Sequence, residues 1–482
     1  MPKPNLLFLF TDEQRHDTMR AYGNPRIQTP NLDALAEQSV VFTRGYVSQP
    51  VCTPSRSTIM TGLYPHTSGC LANNVPLDEK IPTVAELFAD GDYRSGYLGK
   101  WHLGDEIFTQ HGFDHWVSIE DTYRRFYRPH RDRSRNCDYY HWLKGHDFEP
   151  DVRDGDWSAF SRHLAVGLPS RFSKPAFLAE ETSRFIRDNA DRPFVAYVNF
   201  LEPHMPFTGP YNDRHDPAEV VLPDNFDAPA DPDEPLRCRF LREHYRQRGA
   251  EGLDLTTESG WRRLIANYWG LVALVDEAVG RILGTLAECG LDDRTIVVFS
   301  SDHGDMMGSH RLLAKTVMYE EAVKVPLMIR VPQLSRAPSR VDCPVSQADL
   351  VPTLLELMGQ PVPAALQGHS LRPLLEGAGG PGEDHVFIEW NGRESDGAMH
   401  ALGPEVADDV NRISGARVRG VVSPDGWRLN LSEADKCELY HLPTDPGETR
   451  NLFYSGEHAE VIARLRDRIK AWQERTEDDA DV

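Results

Sequence analysis

The 482-residue sequence predicts an α/β fold: a large, mostly parallel or mixed sheet sandwiched by helices, followed by a smaller C-terminal α+β subdomain. Three observations predict it. Short apolar runs alternate with helical patterns over residues 1–375, the stretch LLEGAGGPGED at 374–384 has the composition of a linker, and the strand-like runs beyond it lie close together.

In chain order, NLLFLF (5–10), YRSGYLG (93–99), PFVAYVNF (193–200) and TIVVFSS (295–301) are apolar runs of strand length. Helical patterns separate them. In TVAELFAD, Thr83 and Glu86 make a capping box, Val84, Leu87 and Phe88 share a face, and Gly91 stops the turn. A long pattern, WRRLIANYWGLVALVDEAVGRILGTLAECG, runs into the strand at 295, and QADLVPTLLELMG gives a helix over 347–359. No repeat appears at a solenoid or propeller period, so residues 1–375 read as one domain of a single compact topology, with 117–250 rich in insertions. Residues 376–482 read as the second unit, with HVFIEW, RVRGVVS and GWRLNL as strands and a charged terminal helix.

The formal net charge of −22 argues against nucleic acid as a partner, because phosphate backbones need a basic footprint. An anionic substrate would need a locally positive pocket. No apolar run is long enough to cross a bilayer, and MPKPNLLFLFTDEQR lacks both the length and the cleavage site of a secretory leader, so no membrane partner and a cytoplasmic protein are expected. Seven scattered cysteines, an odd number without metal-type pairs, do not make a disulfide framework.

Open parallel sheets bind ligands beyond the carboxyl ends of their strands. Asp12 and Glu13 follow the first run, Lys100 and His102 the second, His204 the third, and Asp302 and His303 the fourth. Singly, each has a bland reading: an Asp after a strand caps a helix, a lone His is structural, a Lys is a surface charge and Cys52 a small buried hydrophobe. Four strand ends loaded alike at one sheet edge are a site. Carboxylates with one imidazole suit a hard or borderline divalent cation, calcium or magnesium first and manganese next, with Asp12, Glu13, Asp302 and His303 as ligands.

In QPVCTPSRSTIMTG (49–62), Pro54 suits a first helical turn and Gly62 an end, which places Cys52 near a helix N-terminus. CTPSR resembles the signature of the formylglycine-dependent sulfatases, a family of the alkaline-phosphatase-like superfamily. PNLLFLFTDEQR, TPNLDALAEQSVVFTRGY, GYLGKWHLG, EPHMPF, SSDHGDMMGSH and ELYHLPTDPGETRNL are similar to further family motifs and follow in family order.

The resemblance implies that a maturation enzyme oxidises Cys52 to formylglycine. The hydrate of that aldehyde supplies one oxygen that contacts the metal and attacks sulfur, and a second hydroxyl that expels sulfate. It implies that Arg56 holds that hydroxyl and the metal-side charge, that Lys100 and Lys315 bind sulfate oxygens, that His102 is the base for elimination, and that His204 protonates or stabilises the leaving oxygen. Asn73 would add a donor to the substrate. Glu13 stands where many members have Asp, leaving open whether it reaches the metal or its second shell, and His303 stands where many have Asn. The implied substrate is a sulfate ester of a sugar or small alcohol, and an oligomer is compatible with it.

The Asp-His pair also resembles that of phosphonate monoester hydrolases. A phosphonate monoester or phosphate diester hydrolase using the same formylglycine and metal is therefore the alternative, though GKWHLG, with Lys100 and His102 together, looks more like a sulfatase. A non-catalytic binding protein on a retired scaffold would be expected to have lost catalytic groups. In YRRFYRPHRDRSRNCDYYHWLKGHDFEP, Arg124, Arg125, Arg128, Arg131, Arg133 and Arg135 stand among Tyr, Phe and Trp and make either a solvated surface loop or an insertion of Arg forks and aromatic platforms for an acidic sulfated sugar.

Overall fold

Strand β1, Asn5–Asp12, is buried along its whole length. An unbroken apolar run requires this, since a strand with helices on both faces has no polar side to present. Its side chains alternate between two cores: Leu7 and Leu9 pack with Phe177, Phe185, Val275 and Val279 on one face, and Leu6, Phe8 and Phe10 with Ile59, Met60, Val351 and Leu354 on the other. The protein is seen in a computed structural model that describes residues 3–88, 91–332, 334, 339–378, 384–392 and 397–482.

The further strands are β2 Val40–Tyr46, β3 Arg94–Gly99, β4 His115–Val117, the separate hairpin β5 Val152–Asp154 and β6 Trp157–Ala159, β7 Phe194–Pro203, β8 Thr295–Ser301, β9 Lys324–Arg330, β10 Ser339–Val341 and β11 Val345–Ser346. Eight of them join β1 in one nine-stranded sheet, in the order β10-β2-β9-β8-β1-β7-β3-β4 with β11 also on β2. Strands β1, β3, β7 and β8 are mutually parallel, so their carboxyl ends share one edge. Strand β9 is antiparallel to both β8 and β2, which makes the sheet mixed.

Neither β2 nor β9 stands out in the sequence. Pro326 sits in the middle of β9, where it has no N–H for a ladder, and the register of β2 shifts between Phe42 and Gly45 opposite it. The helix expected over TVAELFAD is a single turn, Val84–Leu87, with its Thr83–Glu86 capping box intact. It ends because Phe88 leaves helical geometry and buries its ring in the core, not at Gly91; residues 89 and 90 lie outside the described residues. The long pattern is one helix, Glu258–Glu288, capped by Thr257.

A second sheet, β12 Val386–Trp390, β13 Val418–Val422, β14 Trp427–Ser432 and β15 Glu438–His441, is an antiparallel meander. Phe387, Val421 and Leu429 face Leu465, Ile469 and Trp472 of the terminal helix Ala459–Thr476. Ile388, Trp390 and Val422 face Tyr46, Val51 and Val323 of the main body. The meander thus lies between its own helix and the large sheet. We propose 1–375 and 376–482 as the two units; the linker expected at 374–384 falls partly on residues 379–383, outside the described residues. Among the described residues no helix is long and apolar enough to cross a membrane.

Candidate active site

Cys52 is the first residue of the helix Cys52–Thr61, which ends at Gly62 with φ 70°. All ten residues of this helix are buried although most are polar, so each hydroxyl must find a partner. Ser55 Oγ reaches Gln347 at 2.9 Å, Ser57 Oγ donates to the Pro54 carbonyl at 2.7 Å, and Thr58 Oγ1 lies 2.8 Å from Ser48 Oγ. The Asn73 carboxamide accepts from the Thr53 N–H at 3.0 Å and thereby caps the helix start. Asn73 is therefore placed beside the nucleophile position, with a structural bond of its own.

The four strand ends converge on that helix. Asp12, Cys52, Asp302 and His303 each offer a ligand atom, all within 4.8 Å of one another and all buried. Cys52 Sγ lies 3.3 Å from His303 Nε2, 3.6 Å from Asp12 Oδ1 and 3.9 Å from Lys100 Nζ. His303 Nδ1 is 2.9 Å from the Gly304 carbonyl, which only accepts, so Nδ1 carries the hydrogen and Nε2 turns its lone pair to the cluster.

Arg56 braces the cluster from behind. Its Nε donates to Asp302 Oδ2 at 2.9 Å, Nη2 to Asp12 Oδ2 at 2.9 Å, and Nη1 to the Lys100 carbonyl at 2.7 Å and Asn199 Oδ1 at 2.8 Å. One planar fork thus spans the ends of β1, β3, β7 and β8. The resemblance gives Arg56 both the formylglycine hydroxyl and the metal-side charge; in the structure its hydrogen bonds go to protein acceptors, two of them the cluster aspartates. Gly99 permits the approach of Lys100, because a Cβ there, at φ 121°, would sit 1.9 Å from the Asn199 carbonyl. Lys100 Nζ in turn donates to Asp12. Burial raises the Asp12 carboxyl, but Lys100 and the other cations outweigh it and hold it well below its ordinary value.

Glu13, His204 and Lys315 form a neighbouring group that shares Asp12. Lys315 Nζ donates to Glu13 Oε2 at 2.6 Å, and His204 Nε2 lies 3.4 Å from the same oxygen. Glu13 is held at φ 70° by its N–H on Asp302 Oδ1 at 3.0 Å and by the Tyr268 hydroxyl on its carbonyl at 2.5 Å. Its Oε1 is buried without a hydrogen-bond partner, and burial with the nearby Asp305 pushes its carboxyl up. A cation is what such oxygens fit: one imidazole, two buried carboxylates and an orphaned third acid suit calcium or magnesium.

His102, at φ 58°, has its N–H on Glu106 Oε2 at 2.7 Å and its carbonyl on Thr53 Oγ1 at 2.7 Å. Its Nε2 donates to Asn74 Oδ1 at 3.1 Å, and its ring lies 4.2 Å from that of Tyr123. Nδ1, buried without a hydrogen-bond partner, therefore holds the lone pair. Burial and then Lys100 keep His102 neutral at pH 7, as a base must be. Burial and Lys315 do the same to His204, whose Nδ1–H goes to the Met205 carbonyl at 2.8 Å, so a proton for a leaving oxygen requires its imidazolium form.

Three arginines of the Arg-rich run have acid partners of their own. Arg128 and Arg131 both pair with buried Asp105, at 2.8 and 2.9 Å, and Arg124 pairs with Asp121 at 2.9 Å. Sequence reasoning missed Glu106, Asn74 and Asn199, whereas Tyr123 opens the run whose aromatics the sequence offered as platforms. Of the three missed, only Asn199 had a signal, a polar residue inside a buried strand run.

A strand-edge nucleophile position beside a caged acid–imidazole cluster and buried cations defines an ester hydrolase of the large mixed-sheet α/β class. The chain belongs to the sulfatase family, whose Sulfatase model matches residues 4–360, and is a sulfuric ester hydrolase. It is 29% identical to the uncharacterized sulfatase YidJ of Escherichia coli over 99% of this chain and 88% of that one. It is 26% identical to an N-acetylglucosamine-6-O-sulfatase of Bacteroides thetaiotaomicron over 99% and 87%. Among solved structures, a phosphonate monoester hydrolase from Silicibacter pomeroyi superposes with a TM-score of 0.81 at 25% identity, over 98% of this chain and 96% of that one.

Proposed function

We propose that Cys52 is matured to formylglycine and that the protein hydrolyses a sulfate ester of a sugar or small alcohol with one divalent cation, calcium first. The observation that carries this is the setting of Cys52. Its side chain is 1% exposed, inside a cage of Asp12, Lys100 and His303. Burial and Asp12 push the thiol up to about 12, which leaves roughly one thiolate in 10^5 at pH 7, a poor nucleophile as it stands. The same burial means that a maturation enzyme must reach Cys52 before the chain folds.

Asp12, Asp302, His303 and residue 52 would hold the cation, with Glu13 beside them. When present, the cation withdraws charge from the sulfate group, and the hydrated aldehyde supplies an attacking oxygen and a second hydroxyl. Lys100 and Lys315 neutralise sulfate oxygens in a site more positive than the rest of a chain of net charge −22. His102 Nδ1 accepts the proton released in elimination. His204 faces the leaving oxygen, and Arg56 keeps both aspartates in place. The sugar substrate is supported by the N-acetylglucosamine-6-O-sulfatase relative.

A second reading, hydrolysis of a phosphonate monoester or phosphate diester, is favoured by the structural likeness to the phosphonate monoester hydrolase. Turnover of an aryl sulfate, a phosphate diester and a phenylphosphonate ester by one calcium-loaded preparation separates the two. The sulfate ester should have the highest kcat/KM; faster phosphorus esters would transfer the proposal to the second reading.

A further inference from the structure

Beyond the cluster, Tyr123 and Arg162, both within residues 117–250, come next. Tyr123 lays its ring 4.2 Å from that of His102, with Lys100 Nζ 5.8 Å from the ring centroid. Its hydroxyl accepts from Arg162 Nη2 at 2.8 Å. Arg162 Nε donates to Glu120 Oε2 at 2.8 Å, so one edge of the guanidinium is fixed, while Nη1 has no partner among the described residues. The Arg162 side chain is 20% exposed, whereas Glu120 beneath it is 1% exposed. Burial raises the Glu120 carboxyl, but Arg162 and Lys174 outweigh it and bring it down to about 2, so it stays ionised, and Lys174 Nζ donates to the same carboxylate.

Two cations on one carboxylate leave a surplus positive charge at the mouth. The next acid, Glu202, is buried and pushed up to about 7, so it offsets that charge only in part. Through the Tyr123 ring, which carries the Arg162 bond at its hydroxyl and lies against His102, Arg162 stands one side chain away from the site.

We propose that Tyr123 and Arg162 form the subsite for the leaving group, and that Arg162 selects esters whose leaving group carries a second anion, a carboxylate or a further sulfate. The inference rests on the sulfatase reading above and deepens it. The aromatic face supports the body of the leaving group, and the free edge of the fork receives its anion. Arg162 thus has the role that the sequence offered to Arg128 and Arg131, each of which pairs with Asp105.

The test uses the calcium-loaded full chain carrying Cys52→Ala, which needs no maturation and cannot turn over. Calorimetric titration compares phenyl sulfate with 4-carboxyphenyl sulfate. The carboxylated ester should bind about tenfold tighter, the worth of one charge-assisted contact. Adding Arg162→Gln should abolish that preference and leave phenyl sulfate within about twofold. Glu120 keeps Lys174 in that variant, so a buried pair survives. Tyr123→Phe, which removes only the hydroxyl that aims the guanidinium, should lose part of the preference. No preference in the parent protein, or an equal loss for both esters on Arg162→Gln, overturns the subsite. Failure of the matured enzyme to hydrolyse phenyl sulfate would count against the sulfatase reading instead.

Discussion

The two halves of the site are built differently. Around Cys52 the groups are cross-braced and almost fully enclosed: Arg56 alone ties Asp12, Asp302, Asn199 and the Lys100 carbonyl. Around Tyr123 and Arg162 the side chains are half-buried and come from loops and short helices rather than strand ends. Strand ends repeat the same geometry wherever the sheet is made, whereas a loop-built wall can vary without disturbing the sheet. The reacting chemistry therefore belongs to the first half and the choice of leaving group to the second.

Substitutions can break this contrast, and the largest effect belongs at position 52. Cys52→Ala should lower kcat on the order of 10^4-fold or more, the usual consequence of removing a nucleophile, while the thermal midpoint stays close to that of the parent. Retained turnover would dismantle the division. Next comes Arg56→Met, which strips both aspartates of their shared cation inside the protein. Breaking a buried pair costs about 3–5 kcal/mol, and denaturant unfolding should show a loss of that size; a loss below about 1 kcal/mol would mean the fork is not what holds the cluster.

His102→Gln should reduce kcat by about 10^2–10^4-fold with little change in KM, read from steady-state rates on an aryl sulfate. Asp302→Asn tests the cation directly, without turnover. Calcium added to chelator-treated parent protein should raise the thermal midpoint by mass action, about 2.7 kcal/mol at a hundredfold excess over Kd, and the variant should lose most of that rise. An equal rise in both would place the cation elsewhere.

The smallest effect lies away from both halves, where the meander meets the main body. His66 Nδ1 is 2.5 Å from Glu389 Oε2, and its N–H donates to Glu389 Oε1 at 2.8 Å. Burial lowers this imidazole, but the Glu389 hydrogen bond and charge prevail and leave it raised above the ordinary 6.5. The folded state therefore binds the proton more tightly than the unfolded chain. The contribution is fully present below pH 6.5 and is lost as pH rises through the raised value. His66→Gln should cost about 1 kcal/mol below pH 6.5 and flatten the parent's decline in thermal midpoint above it; parallel pH profiles would remove the ion pair from the account.

Much of the first half was legible in the sequence, because Asp12, Lys100, His204 and Asp302 each stand just beyond an apolar run that announces its strand. The reactive helix was legible from Pro54 and Gly62, though its complete burial was not, since CTPSRSTIMT looks like a surface segment until Gln347, Ser48 and Asn73 arrive from elsewhere. Strand β9 was hidden by Pro326. The second half had only the aromatic and Arg-rich run from Tyr123 as a signature: Glu120 and Lys174 meet across more than 50 positions by tertiary packing, and nothing near Arg128 shows that Asp105 will claim it.

The central claim is that residue 52 acts as an aldehyde. Peptide mass spectrometry across Gly45–Arg56, run on preparations made with and without a formylglycine-generating enzyme, tests it most directly when each is also assayed on an aryl sulfate. The account predicts replacement of the Cys52 thiol by an aldehyde, with turnover proportional to the fraction converted. Full turnover from protein whose Cys52 is entirely unmodified would contradict it.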